Sequence, residues 1–427
     1  MKRYDKYKDS GVEWIGEIPT SWEIRKFKRL FTEKKKTTNA SLNSGSISFG
    51  EVIYKDDEKI TEATKLSYQV LNSGEFLLNP LNMNYDLKSL RIGLSSIDVV
   101  VSSGYIILQS KKGLDKNYYR WLLRIYDVLF MKTLGAGVRQ TINYNDLADS
   151  HLVLPPFSEQ QAIASFLDDK TAKIDQTISI KEKEIELLKE RRQILIQKAV
   201  TKGLDDKVKL KDSGVEWIGE IPEHWEVRKL KYCLSSKLKY GANESGVEYN
   251  EELPRYIRIT DFGFDGNLSE EKKLSLTWGQ GRDYLLKNGD ILFARSGATV
   301  GKSYQFKTSM SSEKNYAFAG YLIKAEANEK IILSDFLYLY TNSNLFENWK
   351  SAIFNKATIE NIGADKYSIL NIVLPPILEQ IAILKDYSAK NEKISKAITL
   401  KQQEIEKLKE YKTVLIDNVV TGKVKVS

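Results

Sequence analysis

Residues 7–30 read YKDSGVEWIGEIPTSWEIRKFKRL, and residues 210–233 read LKDSGVEWIGEIPEHWEVRKLKYC. The chain of 427 residues says nearly the same thing twice, about half its length apart. A second block behaves alike: residues 152–203, opening LVLPPFSEQQ, return at 372–423, opening IVLPPILEQI. Between these blocks lie two inserts that resemble each other only weakly. Their landmarks still match in order, Gly74 with Gly289, Gly104 with Gly320 and Pro155 with Pro375, so the inserts share a fold with insertions and deletions. Preserved ends and free middles are what selection for two specificities on one frame would leave. Neutral drift of surface loops is the bland alternative, and it must then explain divergence over half the protein. The pattern points to one job done at two places, on two different targets.

Length suggests two to four domains. Hydrophobic content of 42% is ordinary for a globular chain. A single cysteine, Cys233, excludes a disulfide framework and favours a reducing, cytoplasmic setting. The opening MKRYDKYKDS lacks the apolar core of a signal peptide, and no run of about 18 apolar residues suggests a membrane span. The net charge is +8, which mildly favours a polyanionic partner. The second insert does not share it, since residues 204–376 carry 23 basic and 24 acidic side chains.

The blocks after each LPP predict long helices, because neither Gly nor Pro occurs between Ser158 and Lys202 or between Ile377 and Thr421. Their apolar residues keep a heptad: Leu167, Ile174, Ile178, Ile185, Leu188 and Leu195 in the first, Ile394, Ile398, Ile405, Leu408 and Leu415 in the second. Matching polar residues interrupt both seams, Lys181 with Lys401 and Arg192 with Lys412. They either fix register or snorkel to solvent. A narrow apolar stripe needs a partner, and the internal copy is the obvious one. A pseudo-twofold axis relating the copies makes the pair antiparallel. One register sets Ile174 opposite Ile405, Ile185 opposite Ile394, and Arg192 near the ring of Tyr387 as a cation–π contact. The expected organisation is a first domain over 1–156, a central helix over 157–203, a second domain over 204–376 and a C-terminal helix over 377–427.

Taken together, the W-x-G-E-I-P-x-x-W motif opening each half (Trp14 to Trp22, Trp217 to Trp225), GDILFARSG at 289–297 and L-P-P-x-x-E-Q before each helix (Leu154 to Gln160, Leu374 to Gln380) resemble the specificity subunit of type I restriction–modification systems. The resemblance covers essentially the whole chain, twice, in order. It implies two target-recognition domains of α/β (α+β) class, an internal pseudo-twofold repeat, and a long antiparallel two-helix coiled coil separating them. It further implies that each domain reads one half of an asymmetric bipartite site in double-stranded DNA. The coiled coil would set the spacer and dock two methyltransferase subunits, with restriction/translocase subunits joining the complete enzyme. This subunit would carry no catalysis and no cofactor. S-adenosylmethionine belongs to the methyltransferase partner, ATP and magnesium to the restriction partner. A structural scaffold with protein-binding globular ends is the alternative that the duplicated frame also fits. Salt-dependent affinity for duplex DNA separates the two.

Three catalytic near-misses favour the non-enzyme reading. Gly297-Ala-Thr-Val-Gly301-Lys302-Ser303 has three residues between its glycines where a phosphate loop needs four. Asn79-Pro80-Leu81-Asn82 lacks the second proline and aromatic of a methyltransferase tetrapeptide. Two histidines, His151 and His224, with one cysteine cannot build a usual zinc site, and His151 reads as a strand residue at a core or edge position. Asp168-Asp169 read as solvated, near a helix start. Major-groove readout needs Arg, Lys, Asn or Gln on exposed loops. In the first insert the candidates are Tyr85, Lys88 and Arg91, with Arg139 and Gln140 in a glycine-rich loop. In the second they are Arg295, Ser296 and Lys302 flanking a glycine turn, with Asn355 and Lys356 where the first insert has Arg139 and Gln140. Lys34-Lys35-Lys36 is a phosphate contact or a solvated run. The opening motif is better read as a structural cap than as a DNA contact.

Overall fold

The computed structural model describes residues 2–58, 60–81, 90–134, 141–205, 207–263, 266–297, 300–310, 312–354 and 361–426. It divides into two compact units, one of residues 1–181 with 402–427, the other of residues 182–401.

The repeated motifs build the same frame in each unit. In the first, Tyr7–Asp9 pairs antiparallel with Glu17–Pro19, and Glu23–Lys26 with His151–Leu154. In the second, Leu210–Asp212 pairs with Glu220–Pro222, and Glu226–Lys229 with Asn371–Leu374. His151 thus sits at the start of a strand in a two-stranded sheet. The tryptophan closing the opening motif is fully buried in both copies. A buried indole N–H needs an acceptor. Trp22 donates to Glu159 at 2.9 Å and Trp225 to Glu379 at 3.0 Å. The neighbouring glutamines hold the turn into each helix. Gln160 donates to the Pro155 carbonyl and accepts from the Asp115 N–H; Gln380 does the same with Pro375 and Leu333. WxGEIPxxW and LPPxxEQ are therefore two parts of one lock.

The lock is completed by a helix end from elsewhere in the sequence. In the first unit Gly422 packs on Trp22, so closely that a Cβ there would lie 2.8 Å from the ring; in the second, Gly203 stands 2.9 Å from Trp225 on the same measure. Both glycines have φ near the left-handed value, 78° and 70°, as a helix C-terminus requires. Tyr118 donates to the Val420 carbonyl and Tyr7 to that of Lys423, and Lys2 bridges Lys425.

Each insert is a sheet backed by helix. In the first unit four antiparallel strands lie in the order Phe31–Glu33, Ile106–Ser110, Phe76–Leu78, Ile92–Leu94. In the second the order is Lys239–Tyr240, Leu322–Ala325, Ile291–Ala294, Ser303–Gln305, strand for strand the same. The second insert adds a sheet of Val247–Glu248, Leu274–Ser275, Arg255–Ile257 and Tyr316–Phe318, whose last two strands run parallel. The helix Lys116–Leu129 starts on Asp115, whose carboxylate accepts from the Tyr118 N–H. It buries Tyr118, Tyr119, Leu122 and Tyr126 against Phe27, Phe31 and Phe76. A lysine run expected at the surface departs from expectation here. Lys34, the residue after Phe31–Glu33, turns inward and meets Glu75 at 2.7 Å, while Lys35 and Lys36 stay exposed.

The long helices are Phe157–Thr201 and Ile377–Val420. In the first unit residues up to 181 of the central helix pair antiparallel with 402–420, shown by Lys181 to Glu404 and Lys412 to Asp175. In the second unit the partners are 182–201 and 377–401, with Lys401 to Glu184 and Arg192 to Ser395. Ile174, Ile185, Ile394 and Ile405 are buried in the seam, while Ile178, Leu188, Leu195, Ile398 and Leu408 are half-buried. Leu167 and Leu415 are buried where the helices meet the first domain. Towards residue 200 the buried side shifts to Ile196 and Val200, because there the helix packs on the second domain's core. The interrupting lysines do not snorkel freely; each reaches a carboxylate of the other helix. Arg192 lies close enough to Tyr387 for its charge to act on the phenol, and its guanidinium also donates to Ser395 at 2.9 Å. Asp168 is likewise not simply solvated: it accepts from Trp121 Nε1 at 2.8 Å and pairs with Arg120, tying the helix to its domain. No helix among the described residues is long and apolar enough to cross a membrane.

Candidate nucleic-acid interface

The two inserts present one constructional device in the same place. In the first, Leu81 bridges Thr141, and the Ile142 N–H donates to the Pro80 carbonyl at 3.1 Å. In the second, Ser296 bridges Asn361, and the Ile362 N–H donates to the Arg295 carbonyl at 2.8 Å. Pro80 and Arg295 each lie six residues past the matching glycines, Gly74 and Gly289. Thr141 and Asn361 each lie fourteen before the matching prolines, Pro155 and Pro375. The bridge therefore joins, at their bases, the same two loops in each domain. Most of the candidate readers lie between the bridged residues in the sequence. Tyr85, Lys88, Arg139, Gln140, Asn355 and Lys356 lie outside the described residues.

Arg91 does not fit the exposed reading. It is buried, its Nη1 donates to the Leu81 carbonyl and its backbone N–H to Asp127. It leads into the strand Ile92–Leu94, and its side chain folds inward across the base of the loop rather than out from it. Lys302 is also committed inward. Its ammonium donates to the Phe262 carbonyl and sits 4.9 Å from the Phe262 ring centre. The glycine turn before it joins the antiparallel strands Ile291–Ala294 and Ser303–Gln305. A phosphate loop instead runs from a strand into a helix N-terminus, so both the sequence spacing and the fold differ from that motif. Asn79 accepts from the Leu81 N–H with its own side chain, a turn-forming role.

Arg295 is half-buried. Its guanidinium carbon lies 5.2 Å from the centre of the Tyr240 ring, and Tyr240 is fixed because its hydroxyl accepts from the Ala364 N–H at 2.9 Å. The Arg295 N–H is pinned by the Tyr321 carbonyl at 3.0 Å, and Tyr321 is 61% exposed. Sequence reasoning missed Tyr240, Tyr321 and Asn361. The signals available were the Tyr240-Gly241 and Gly320-Tyr321 pairs, since glycine beside an aromatic lets two strands approach. Among the described residues no group of three or more His, Cys, Asp or Glu side chains could hold a metal ion, and His224 is engaged with Glu379 at 2.8 Å.

Two domains with a common sheet order, a common locking frame and divergent loop pairs, each unit carrying an antiparallel helix pair, define a class of duplicated recognition protein. Residues 19–190 match the family described as type I restriction modification DNA specificity domain. The chain is 26% identical over 96% of its length, and 96% of the other's, to a Methanocaldococcus jannaschii protein provisionally named the type I restriction enzyme MjaX specificity subunit. It is 27% identical to the MjaVIII specificity subunit of the same organism, covering 77% of this chain and 75% of that one. A chain from a structural study of complex assembly and conformational transition in a type I R-M system superposes with a TM-score of 0.69 over 95% of this chain and 99% of that one, at 14% identity. The HsdS subunit from Thermoanaerobacter tengcongensis gives 0.51 over 95% and 98%, also at 14% identity. Over residues 19–190 the chain thus matches the type I restriction modification DNA specificity domain, and over nearly its whole length it is similar to a type I specificity subunit.

Proposed function

We propose that this chain is the DNA-recognition subunit of a type I restriction–modification complex, with each domain reading one half of an asymmetric bipartite site. The observation that carries the reading is the repeated bridge, Leu81 to Thr141 and Ser296 to Asn361, which gathers the same two loops in each domain while their sequences differ. A constant support under variable loops is how one fold reads two targets. The long helices set the number of base pairs left unread between the half-sites. They also dock methyltransferase subunits: Leu187, Ile194 and Leu400 stand more than half exposed on the helix surfaces, apolar area that a partner helix would cover. Restriction/translocase subunits join that core. The chain contributes recognition and no chemistry of its own. S-adenosylmethionine, ATP and magnesium act in the partners.

Exchange of residues 31–150 for the matching insert of a related subunit tests the reading. The target of the assembled complex, found by sequencing methylated host DNA, is expected to change in one half and keep the other. A swap that alters both halves together, or a complex whose affinity is the same for all duplexes, would remove the support for independent reading. A protein scaffold would show no salt-dependent DNA affinity.

A further inference from the structure

We propose that Arg295 is a guanine reader, fixing one G·C pair in the half-site recognised by the second domain. The inference rests on the DNA-recognition reading above and adds a residue and a base to it.

Four features of Arg295 set it apart from the other cations of the loop pair. First, its guanidinium is held against a clamped aromatic ring, Tyr240, whose hydroxyl is fixed by the Ala364 N–H. Stacking removes the rotational freedom that an arginine otherwise loses on binding. Second, its Nε is buried without a hydrogen-bond partner, while the residue as a whole is only half-buried. The other edge of the guanidinium bears two parallel N–H groups. Third, no carboxylate pairs with it among the described residues, in contrast to Arg255 and Arg258 of the same domain. Fourth, its backbone is gripped on both sides, its N–H by Tyr321 and its carbonyl by Ile362, so the fork projects from a fixed point at the base of both loops. Beside it, Asn361 Oδ1 is also buried without a partner. Unsatisfied buried polar atoms are rare and need a reason; here two occur at one bridge.

A planar, rigid, two-donor edge matches the O6 and N7 acceptors of guanine in the major groove, the commonest specific contact of arginine with DNA. Phosphate would accept the same edge, but phosphate contacts do not require a stacked, immobilised fork and serve equally well from flexible lysines. The first domain has no counterpart. The position equivalent to Arg295 is Pro80, which offers a carbonyl to the bridge and no side-chain donor. This contact is therefore expected in the second domain's half-site alone.

The test uses the full chain assembled with its methyltransferase partner. Duplexes carrying each single substitution in both half-sites compete for wild type, Arg295→Ala and Arg295→Lys. Wild type is expected to lose about 5- to 150-fold in affinity on replacing one particular guanine in the second domain's half-site. Arg295→Ala should abolish that preference and no other, with discrimination in the first half-site intact as an internal check on folding. Arg295→Lys should regain overall affinity without the preference, because it restores charge but not the fork. A uniform loss on all sequences, with the salt slope reduced by about one, would assign Arg295 to phosphate and overturn the proposal. Unchanged discrimination in Arg295→Ala would overturn it too, leaving the recognition reading in place. A wild-type complex with no base preference anywhere would instead sink the recognition reading itself.

Discussion

Cations in this chain divide by what faces them, and the sequence does not display that. Lys34, Arg91 and Lys302 stand in polar, glycine-rich or lysine-rich stretches that read as surface, yet each is turned inward to a carboxylate or a carbonyl. The acids are easier to foresee. Glu75 and Asp290 follow the matching glycines, and each is met by a lysine from another part of the chain, Lys34 in one domain and Lys324 in the other. Burial still raises the Asp290 carboxyl above its ordinary range despite Lys324. Glu313 shows the opposite balance. Burial raises it, but hydrogen bonds from Tyr316, Lys273 and Ser312 and the charge of Arg255 outweigh this and hold it at about 2. The ordinary value of a glutamate is about 4.3. A carboxyl depressed on folding adds stability that is complete above the ordinary value and fades as pH falls towards the folded one. Glu313→Gln is therefore expected to cost on the order of 1–3 kcal/mol near neutrality, the cost of stranding a buried charge. The gap to wild type should close between about pH 5 and pH 2, read from thermal melts across that range. A gap that stays constant down to about pH 2 would show that the carboxylate charge is not what stabilises the Arg255 cluster.

The helices are the most legible elements. Absence of Gly and Pro bounds them, and the heptad names their buried side, because a seam is a local pattern that tertiary context seldom overrides. It misleads where a helix end packs on a domain core, at Ile196 and Val200 in the second unit and at Ile416 and Val420 in the first, since a seam rule assumes a helix on the other side. The polar interruptions can be read as position but not as partner. Lys181 with Glu184 repeats as Lys401 with Glu404, and each lysine takes the other helix's glutamate at 2.5 Å. Those four residues all fall within 178–184 and 398–404. Deleting both heptads keeps the seam in phase, removes both ion pairs and shortens each helix by about 10 Å. The ion pairs are partly exposed and contribute little stability, so the shortened protein should fold. Its methylated target should keep both half-sites with fewer base pairs between them, or be lost. The same target at the same spacing would show that helix length does not determine the spacer.

At the scale of the molecule, the repeat makes the frame legible in the sequence, while the segments proposed to choose a target stay opaque, because no rule converts a loop sequence into a base. What the repeat does not reveal is which helix end serves which domain. The first domain takes Gly422 against Trp22, and the second takes Gly203 against Trp225. Both ends carry Val-Thr followed closely by a glycine, Val200-Thr201 with Gly203 and Val420-Thr421 with Gly422, so we expect each domain to accept either. Residues 1–203 contain a domain, a whole helix and a helix end made for a tryptophan that this fragment offers at Trp22. Two such fragments can satisfy one another by exchange. We expect residues 1–203 to form a dimer in sedimentation experiments and, with methyltransferase present, to modify an inverted repeat of the first half-site. A fragment that remains monomeric at micromolar concentration would show that the ends are not interchangeable. If they are, the asymmetry proposed for the target is a property of the inserts alone, and the frame is indifferent to it.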